Sequence, residues 1–167
     1  SSWSMMYSSN MPSPREKHVG IWNGSEPIVW GGSTPSGLVN DGKRYSPVAD
    51  TWTAISSSGA PAPRSSAAAV WTGTEMLVWS GSDTGASLLT GGRYDPVADF
   101  WQGTAIAGTP WPRERGAAVW TGQELLVWSG STLAGWGAND NGGLYCAVSG
   151  PGPDLVPPIV TLTSSVA

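Results

Sequence analysis

The sequence predicts an all-β fold made of repeated four-stranded antiparallel sheets. Three observations predict it: the composition, the alternation of short apolar runs with turn residues, and a motif that recurs every 49 residues. The chain of 167 residues has 23 Gly and 14 Pro, and only 12% of its residues are charged, which disfavours long helices. Eleven Trp against one Phe favours strands further, because Trp suits a half-buried pleated surface.

The repeat is clearest in two segments, GKRYSPVADTW at 42–52 and GGRYDPVADFW at 91–101. The same spacing relates arginines, tryptophans and tyrosines elsewhere, and the third tyrosine comes two residues late because the third repeat carries an insertion. These positions are Arg15, Arg64 and Arg113; Trp22, Trp71 and Trp120; Trp30, Trp79 and Trp128; Trp3, Trp52 and Trp101; and Tyr45, Tyr94 and Tyr145. A register of this kind predicts one structural unit repeated along the chain.

Each period predicts four short strands, as the second repeat illustrates. The small apolar run SAAAVW ends at Trp71, the turn TGTE follows, and MLVWSG is a continuous apolar run typical of a buried strand. After a Gly/Ser/Thr-rich loop, GGRYDP predicts a third strand that ends in Asp-Pro turn chemistry, and FWQGTAI predicts a fourth. Asp50 and Asp99, in the turn before this last strand, are interpreted as turn anchors.

These residues resemble the kelch-repeat β-propeller family. The double glycine that ends the second strand appears as Gly31–Gly32 and is degraded to Ser80–Gly81 and Ser129–Gly130. The Tyr-Asp-Pro element appears as 94–96 and, altered to Tyr-Ser-Pro, as 45–47, and Trp52 or Trp101 follows it. The resemblance covers residues 1 to about 146 and implies a kelch-type β-propeller of four-stranded antiparallel blades, three blades' worth in this chain.

The predicted organisation has three kelch repeats in 1–150 and a tail. The repeat units are 15–52, 64–101 and 113–146, and the third lacks the Asp and Trp of a fourth strand. Because Trp3 stands one period before Trp52, residues 1–6 are predicted to be the last strand of a split blade, with Trp3 buried. Residues 151–167 read as a Pro-rich linker and a strand-like stub.

Three blades are too few to close around a channel, since propellers have four to eight. Open ends would leave unpaired strand edges and apolar faces. The sequence leaves two ways to cover them. Either two copies form a six-bladed ring around a two-fold axis, or the chain is part of a longer propeller.

Charge and reactive residues exclude several function classes. A net charge of −4 without a basic run argues against nucleic acid, and no apolar stretch is long enough for membrane insertion. His18 and Cys146 are the single histidine and cysteine, so we predict no metal site and no cofactor. Sialidases are another propeller class, and their Ser-x-Asp-x-Gly-x-x-Trp motif has no match in this sequence. No arrangement of catalytic residues is evident. The composition favours an extracellular or periplasmic bacterial protein.

Candidate binding residues fall into two groups. Arg15, Arg64 and Arg113 each open a predicted innermost strand. There they would either line a channel and bind an anion, or have a structural role in which they cap carbonyls or pair with a carboxylate of the next blade. The second group lies on the long loops, which differ between repeats whereas the short turns are nearly identical. The third loop carries Trp136, Asn139 and Asp140, and Trp111 opens the same end. Trp136 would either stack on a ligand or fold back over the blade.

The function predicted from these residues is a non-catalytic binding or assembly module. A carbohydrate and a protein partner both fit loops that bear aromatic and amide groups. The alternative is the propeller portion of a larger secreted enzyme, glycan-active or an oxidase, whose catalytic residues lie outside this chain.

Overall fold

The computed structural model describes residues 2–3, 9–132 and 140–146, and this part of the chain contains strands and no helix. The prediction of an all-β fold is confirmed. The strands are β1 (Val19–Trp22), β2 (Pro27–Trp30), β3 (Ser33–Thr34), β4 (Gly37–Leu38), β5 (Gly42–Ser46), β6 (Thr51–Ala54), β7 (Ala68–Trp71), β8 (Met76–Trp79), β9 (Gly91–Asp95), β10 (Phe100–Gly103), β11 (Ala117–Trp120), β12 (Glu124–Trp128) and β13 (Gly142–Cys146).

The strands form three antiparallel sheets in sequence order, each at one repeat. The first sheet has the order β1-β2-β5-β6, the second β7-β8-β9-β10, and the third β11-β12-β13; β3 and β4 pair as a small hairpin in the first long loop. The register repeats as well, because Val19 pairs with Trp30, Ala68 with Trp79 and Ala117 with Trp128. None of the sheets in the described ranges closes on itself.

The turn between the first two strands of each sheet is held by one side chain. Asn23 Oδ1 accepts a hydrogen bond from the Glu26 amide at 2.7 Å, and Thr72 Oγ1 accepts one from the Glu75 amide at 3.0 Å. Thr121 makes the same contact in the third sheet. A side chain that mimics a backbone turn in this way fixes the hairpin locally, so each unit needs little outside help to form it.

The first strands β1, β7 and β11 contact one another in that order, so the three sheets pack face to face in a row. Val19, Ile28 and Trp30 of the first sheet form one core cluster with residues of the second, among them Met76 and Trp101. A second cluster joins the far face of the second sheet to the third and includes Val70, Leu77, Trp79, Leu125 and Val127. Of the repeated tryptophans, Trp30 and Trp101 belong to the first cluster and Trp79 to the second. Trp52 is buried as well, whereas Trp22 and Trp128 are exposed.

The burial of Trp3 in the last strand of a split blade stays a prediction, because the single chain does not contain the completed blade. Trp3 lies outside any strand, and its side chain is fully exposed in the single chain. The equivalent Trp101 is buried because its ring packs against Tyr94 of its own sheet at 5.1 Å and against Trp30 of the sheet before at 5.2 Å. Trp3 has no such neighbours in the single chain. Apart from Ser2 and Trp3, segment 1–6 lies outside the described residues, as does 147–167.

The described residues include no helix long and apolar enough to cross a membrane.

Candidate binding surface

The two ends of the strands carry different connections. We call the end that carries residues 13–18, 31–41, 62–67, 80–90, 111–116, 129–132 and 140–141 the long-loop edge, and the end that carries 23–26, 47–50, 72–75, 96–99 and 121–123 the short-turn edge. Because neighbouring strands run antiparallel, the segment before the first strand and the loop after the second lie at the same edge. The candidate ligand-binding residues that the structure describes belong to the long-loop edge; they are Arg15, Arg64, Trp111, Arg113 and Asp140.

Arg64 lies at the long-loop edge, but it is buried and its donors point into the protein. Nε donates to the Ala62 carbonyl at 3.0 Å, and Nη1 donates to the carbonyls of Ser80 at 2.9 Å and Thr90 at 2.6 Å. Nη2 donates to Thr90 Oγ1 at 2.9 Å. Burial lowers the pKa of Arg64 to about 10, so the guanidinium is still charged at neutral pH. Arg64 thus ties together the start of β7, the end of β8 and the start of β9.

Arg15 and Arg113 make the same set of bonds in their own units. Nη1 of Arg15 donates to the carbonyls of Gly31 at 3.1 Å and Asp41 at 3.3 Å, and the side chain also pairs with the Asp41 carboxylate at 3.0 Å. Nη1 of Arg113 donates to the carbonyls of Ser129 at 3.0 Å and Asn141 at 2.7 Å. Of the two roles predicted for the arginines, carbonyl capping is the one that these bonds fill. Their donors are directed to groups within each unit and not to a shared channel.

Arg113 also forms hydrogen bonds to the segments that carry two of the predicted loop residues, Trp111 and Asp140. Its Nε donates to the Trp111 carbonyl at 3.0 Å, and its Nη2 donates to Asn141 Oδ1 at 2.8 Å. Asp140 is the exposed residue next to Asn141, and the Trp111 side chain is 74% exposed. Arg113 therefore holds the backbone of Trp111, whose indole is exposed, and the segment at Asn141, next to the exposed Asp140. Both segments lie at the long-loop edge of the third sheet.

This pair of exposed groups is particular to the third unit. The positions that correspond to Trp111 are Ala62 and Ser13 in the other units. With the two-residue insertion taken into account, Asp140 corresponds to Leu89 and Asn40. Trp136 and Asn139 lie outside the described residues, so their predicted roles remain predictions.

The first unit has a cleft at the long-loop edge that the sequence did not single out. It has a volume of about 370 Å³ and is lined by Pro14, Arg15, Glu16, Ser33, Thr34 and Pro35. Its walls are held by a pair of backbone hydrogen bonds between Glu16 and Ser33, both 2.9 Å long. The prolines of the two lining segments are the sequence feature that could have indicated this cleft, because proline stiffens loops. Nothing in the sequence showed that the two loops would face each other.

The short-turn edge is held by tyrosine–aspartate pairs. Tyr94 donates its hydroxyl proton to Asp99 Oδ1 at 2.6 Å, and Tyr45 donates to Asp50 Oδ1 at 2.7 Å. Asp99 also accepts a bond from the Ser56 amide at 2.8 Å, which links the second sheet to the segment after β6. These contacts confirm the interpretation of Asp50 and Asp99 as turn anchors.

The remaining reactive side chains stand apart from one another. His18 is exposed just before β1, as a strand-start residue. Cys146 is half-buried at the end of β13, where burial and the nearby Glu124 carboxylate raise the pKa of its thiol. In the ranges that the structure describes, no three His, Cys, Asp or Glu side chains come together as a potential metal site.

No known protein family matches the chain, and no curated protein matches it either.

Proposed function

We propose that the chain is a non-catalytic binding or assembly module of the kelch-type β-propeller class, and that it binds a carbohydrate or a protein through the long-loop edge of its third unit. On this proposal the three sheets are consecutive blades, and they form half of a six-bladed ring or part of a longer propeller. The same proposal includes an extracellular or periplasmic location and no nucleic-acid partner.

The blade assignment is supported by the equivalence of the three sheets. Their strand order, their register and their arginine caps recur at the spacing of the sequence repeat. Contact between the first strands β1, β7 and β11 supports a radial arrangement, in which the first strand of each blade is innermost.

The exposure of Trp111 carries the functional part of the proposal. An indole that is 74% exposed has given up most of the burial that makes Trp stabilising, so the fold does not account for it. Its flat apolar face suits stacking on a sugar ring or on an apolar side chain, and the Asp140 carboxylate accepts hydrogen bonds from hydroxyl or amide groups. Arg113 fixes the backbone on both sides, so the surface is organised before any ligand arrives.

The test compares Trp111→Ala with Phe100→Ala on a glycan array and by titration of the glycans that bind. Phe100 is the matched control because it is an exposed aromatic residue at the short-turn edge. We expect Trp111→Ala to weaken binding about tenfold or more, the effect of removing an aromatic hot spot, and to leave the melting temperature unchanged. Phe100→Ala should bind like the unaltered protein.

The unaltered protein binding no glycan would reject a carbohydrate ligand in favour of a protein partner. Equal loss of binding in both variants would reject the long-loop edge as the binding surface.

A further inference from the structure

The outer faces of the first and third sheets expose positions that are buried between sheets elsewhere in the molecule. We call the uncovered face of the third sheet the trailing face; it carries Ala117, Val119, Leu126 and Trp128. Val119 is 56% exposed, whereas its equivalent Val70 is 6% exposed. Trp128 is 38% exposed, whereas its equivalent Trp79 is 3% exposed. The trailing face therefore has the side chains of a buried junction and lacks the sheet that would cover them.

The face of the first sheet that points away from the second shows the same contrast at β1 and β2, although Tyr45 and Trp52 on that face are only 9% exposed. We call it the leading face; it carries Gly20, Trp22, Pro27 and Val29. Trp22 is 57% exposed, while the equivalent Trp71 is half-buried against the first core cluster. Met76 and Val78, the equivalents of Pro27 and Val29, are fully buried. Each end of the row thus presents an apolar face of the kind that associates.

Backbone hydrogen bonds join neighbouring sheets in a fixed pattern. The Gly32 amide donates to the Arg64 carbonyl at 2.8 Å, and 49 residues later the Gly81 amide donates to the Arg113 carbonyl at 2.9 Å. A second bond runs the other way. The Ser66 amide donates to the Lys17 carbonyl at 2.8 Å, and the Arg115 amide donates to the Ser66 carbonyl at 3.1 Å. Both internal junctions therefore share one bond in each direction, and the first has an additional bond from the Arg64 amide to the Val39 carbonyl at 3.4 Å.

The same pattern assigns complementary groups to the two ends. At the trailing end these are the Gly130 amide, a donor, and the Arg115 carbonyl, an acceptor. At the leading end they are the Arg15 carbonyl and the Lys17 amide. None of the four groups has a hydrogen-bond partner among the residues that the structure describes. Lys17 and Arg115 already have positive φ angles of 54° and 58°, close to the 56° of Ser66, which makes both bonds.

Side chains at the junction of the second and third sheets provide a second set of complementary hydrogen-bonding groups. Ser80 Oγ lies 2.7 Å from both the amide nitrogen and the carbonyl oxygen of Arg113, and Ser82 Oγ donates to Glu114 Oε2 at 2.9 Å. Ser129 and Ser131 are their equivalents at the trailing end. The matching residues at the leading end are Arg15 and Glu16, and the Glu16 carboxylate is largely exposed.

We propose that a second copy of this chain binds head to tail, with the trailing face of one copy packed on the leading face of the other. The proposed bonds run from the Gly130 amide to the partner's Arg15 carbonyl and from the partner's Lys17 amide to the Arg115 carbonyl. Two such junctions complete a ring of six sheets with a two-fold axis. The inference deepens the assembly part of the proposed function and rests on its blade arrangement.

The first experiment measures the mass in solution of the whole chain by sedimentation equilibrium, for the unaltered protein, Val119→Asp and Val97→Asp. The expected mass of the unaltered protein is twice 17.3 kDa. Val119→Asp should be a folded monomer, because the new carboxylate is solvated in the single chain and would be buried without a partner in the junction. Val97→Asp makes the same change at an exposed valine of the short-turn edge and should remain dimeric.

The second experiment tests the head-to-tail direction by mixing Val119→Asp with Trp22→Asp. Each variant alone damages both junctions of a ring and should be a monomer. The mixture should form pairs, because the undamaged trailing face of one variant can meet the undamaged leading face of the other.

A monomeric unaltered protein at all concentrations would overturn the proposal. So would dimerisation of Trp22→Asp alone, which would show that two trailing faces meet. Either result leaves the glycan titration of Trp111→Ala unaffected, so failure of this inference and failure of the proposed binding function are distinguishable.

Discussion

The arginine at the start of each unit shows how a charged residue can serve a fold with few charges. Its planar guanidinium reaches two carbonyls at the ends of neighbouring strands and a side chain beside them, which a lysine ammonium cannot do in one plane. The surrounding carbonyl oxygens offset part of the free-energy cost of removing the charged guanidinium from water. The repeated arginine is thus explained by the strand ends it joins.

Replacing Arg64 with Met should lower the free energy of unfolding by about 3 kcal/mol, because buried carbonyls lose charge-assisted hydrogen bonds. Arg115→Met is the control, since the Arg115 side chain is exposed. Chemical denaturation of both variants measures the difference. A loss below about 0.5 kcal/mol for Arg64→Met, the range of ordinary surface substitutions, would contradict the structural role given to this arginine.

The Tyr94–Asp99 pair predicts how stability depends on pH. Burial and the bond to Asp99 raise the pKa of Tyr94, so its contribution is present below about pH 10, the ordinary value for tyrosine, and is lost as the pH rises further. The bond from Tyr94 lowers the pKa of Asp99, so its contribution is present above about pH 4, the ordinary value for aspartate, and is lost as the pH falls.

Tyr94→Phe should therefore flatten the stability profile at both ends. Urea denaturation from pH 3 to 11, roughly one unit beyond the ordinary tyrosine and aspartate values, measures it for the variant and the unaltered protein. Parallel profiles for the two proteins would show that the pair does not couple folding to ionisation.

At the scale of single strands, glycine at the start of the third strand of each sheet allows close approach of the second. A Cβ at Gly42 would lie 2.6 Å from the Val29 carbonyl oxygen, and a Cβ at Gly142 would lie 2.7 Å from the Trp128 ring. A Cβ at Gly91 would meet the Val78 carbonyl oxygen and would lie 2.9 Å from Thr104 Oγ1. Glycine is needed at this position because a side chain would clash with the backbone of the second strand. That backbone cannot move without disturbing the hydrogen bonds between the two strands.

Gly91→Ala should lower the free energy of unfolding by about 1–3 kcal/mol, as overpacking does. Gly103→Ala is the matched control in the neighbouring strand, because a Cβ there has open space. Thermal melting of both variants measures the effect. Equal melting temperatures would mean that the sheet accommodates the added methyl group.

The sequence predicted the strands well because their signals are local. Apolar runs, turn residues and the repeat placed β7 to β10 and the turn anchor Asp99 at the right positions, whereas the tyrosine that bonds to this aspartate was not predicted. The candidate site was predicted less completely. The sequence assigns Trp111 and Asp140 to the end that carries the long loops, but only three-dimensional geometry shows that Arg113 positions the backbone of both segments.

For the whole molecule, the exposure of several repeated positions depends on whether a neighbouring sheet covers them. Trp22 and Trp71 occupy the same position in the repeat, as do Trp79 and Trp128, yet one member of each pair is more exposed because it lies at an end of the row. No local sequence signal distinguishes the members of such a pair. The exposed leading and trailing faces are therefore the features that best indicate how the chain assembles.

Hydrogen exchange of individual backbone amides tests the central claim, that the two ends of the row complete each other, most directly. The Gly32 and Gly81 amides, bonded across the internal junctions, should be protected at every concentration. The Gly130 and Lys17 amides should become protected as the protein concentration rises through the dimerisation range. Exchange of Gly130 and Lys17 at unprotected rates at all concentrations would contradict this claim.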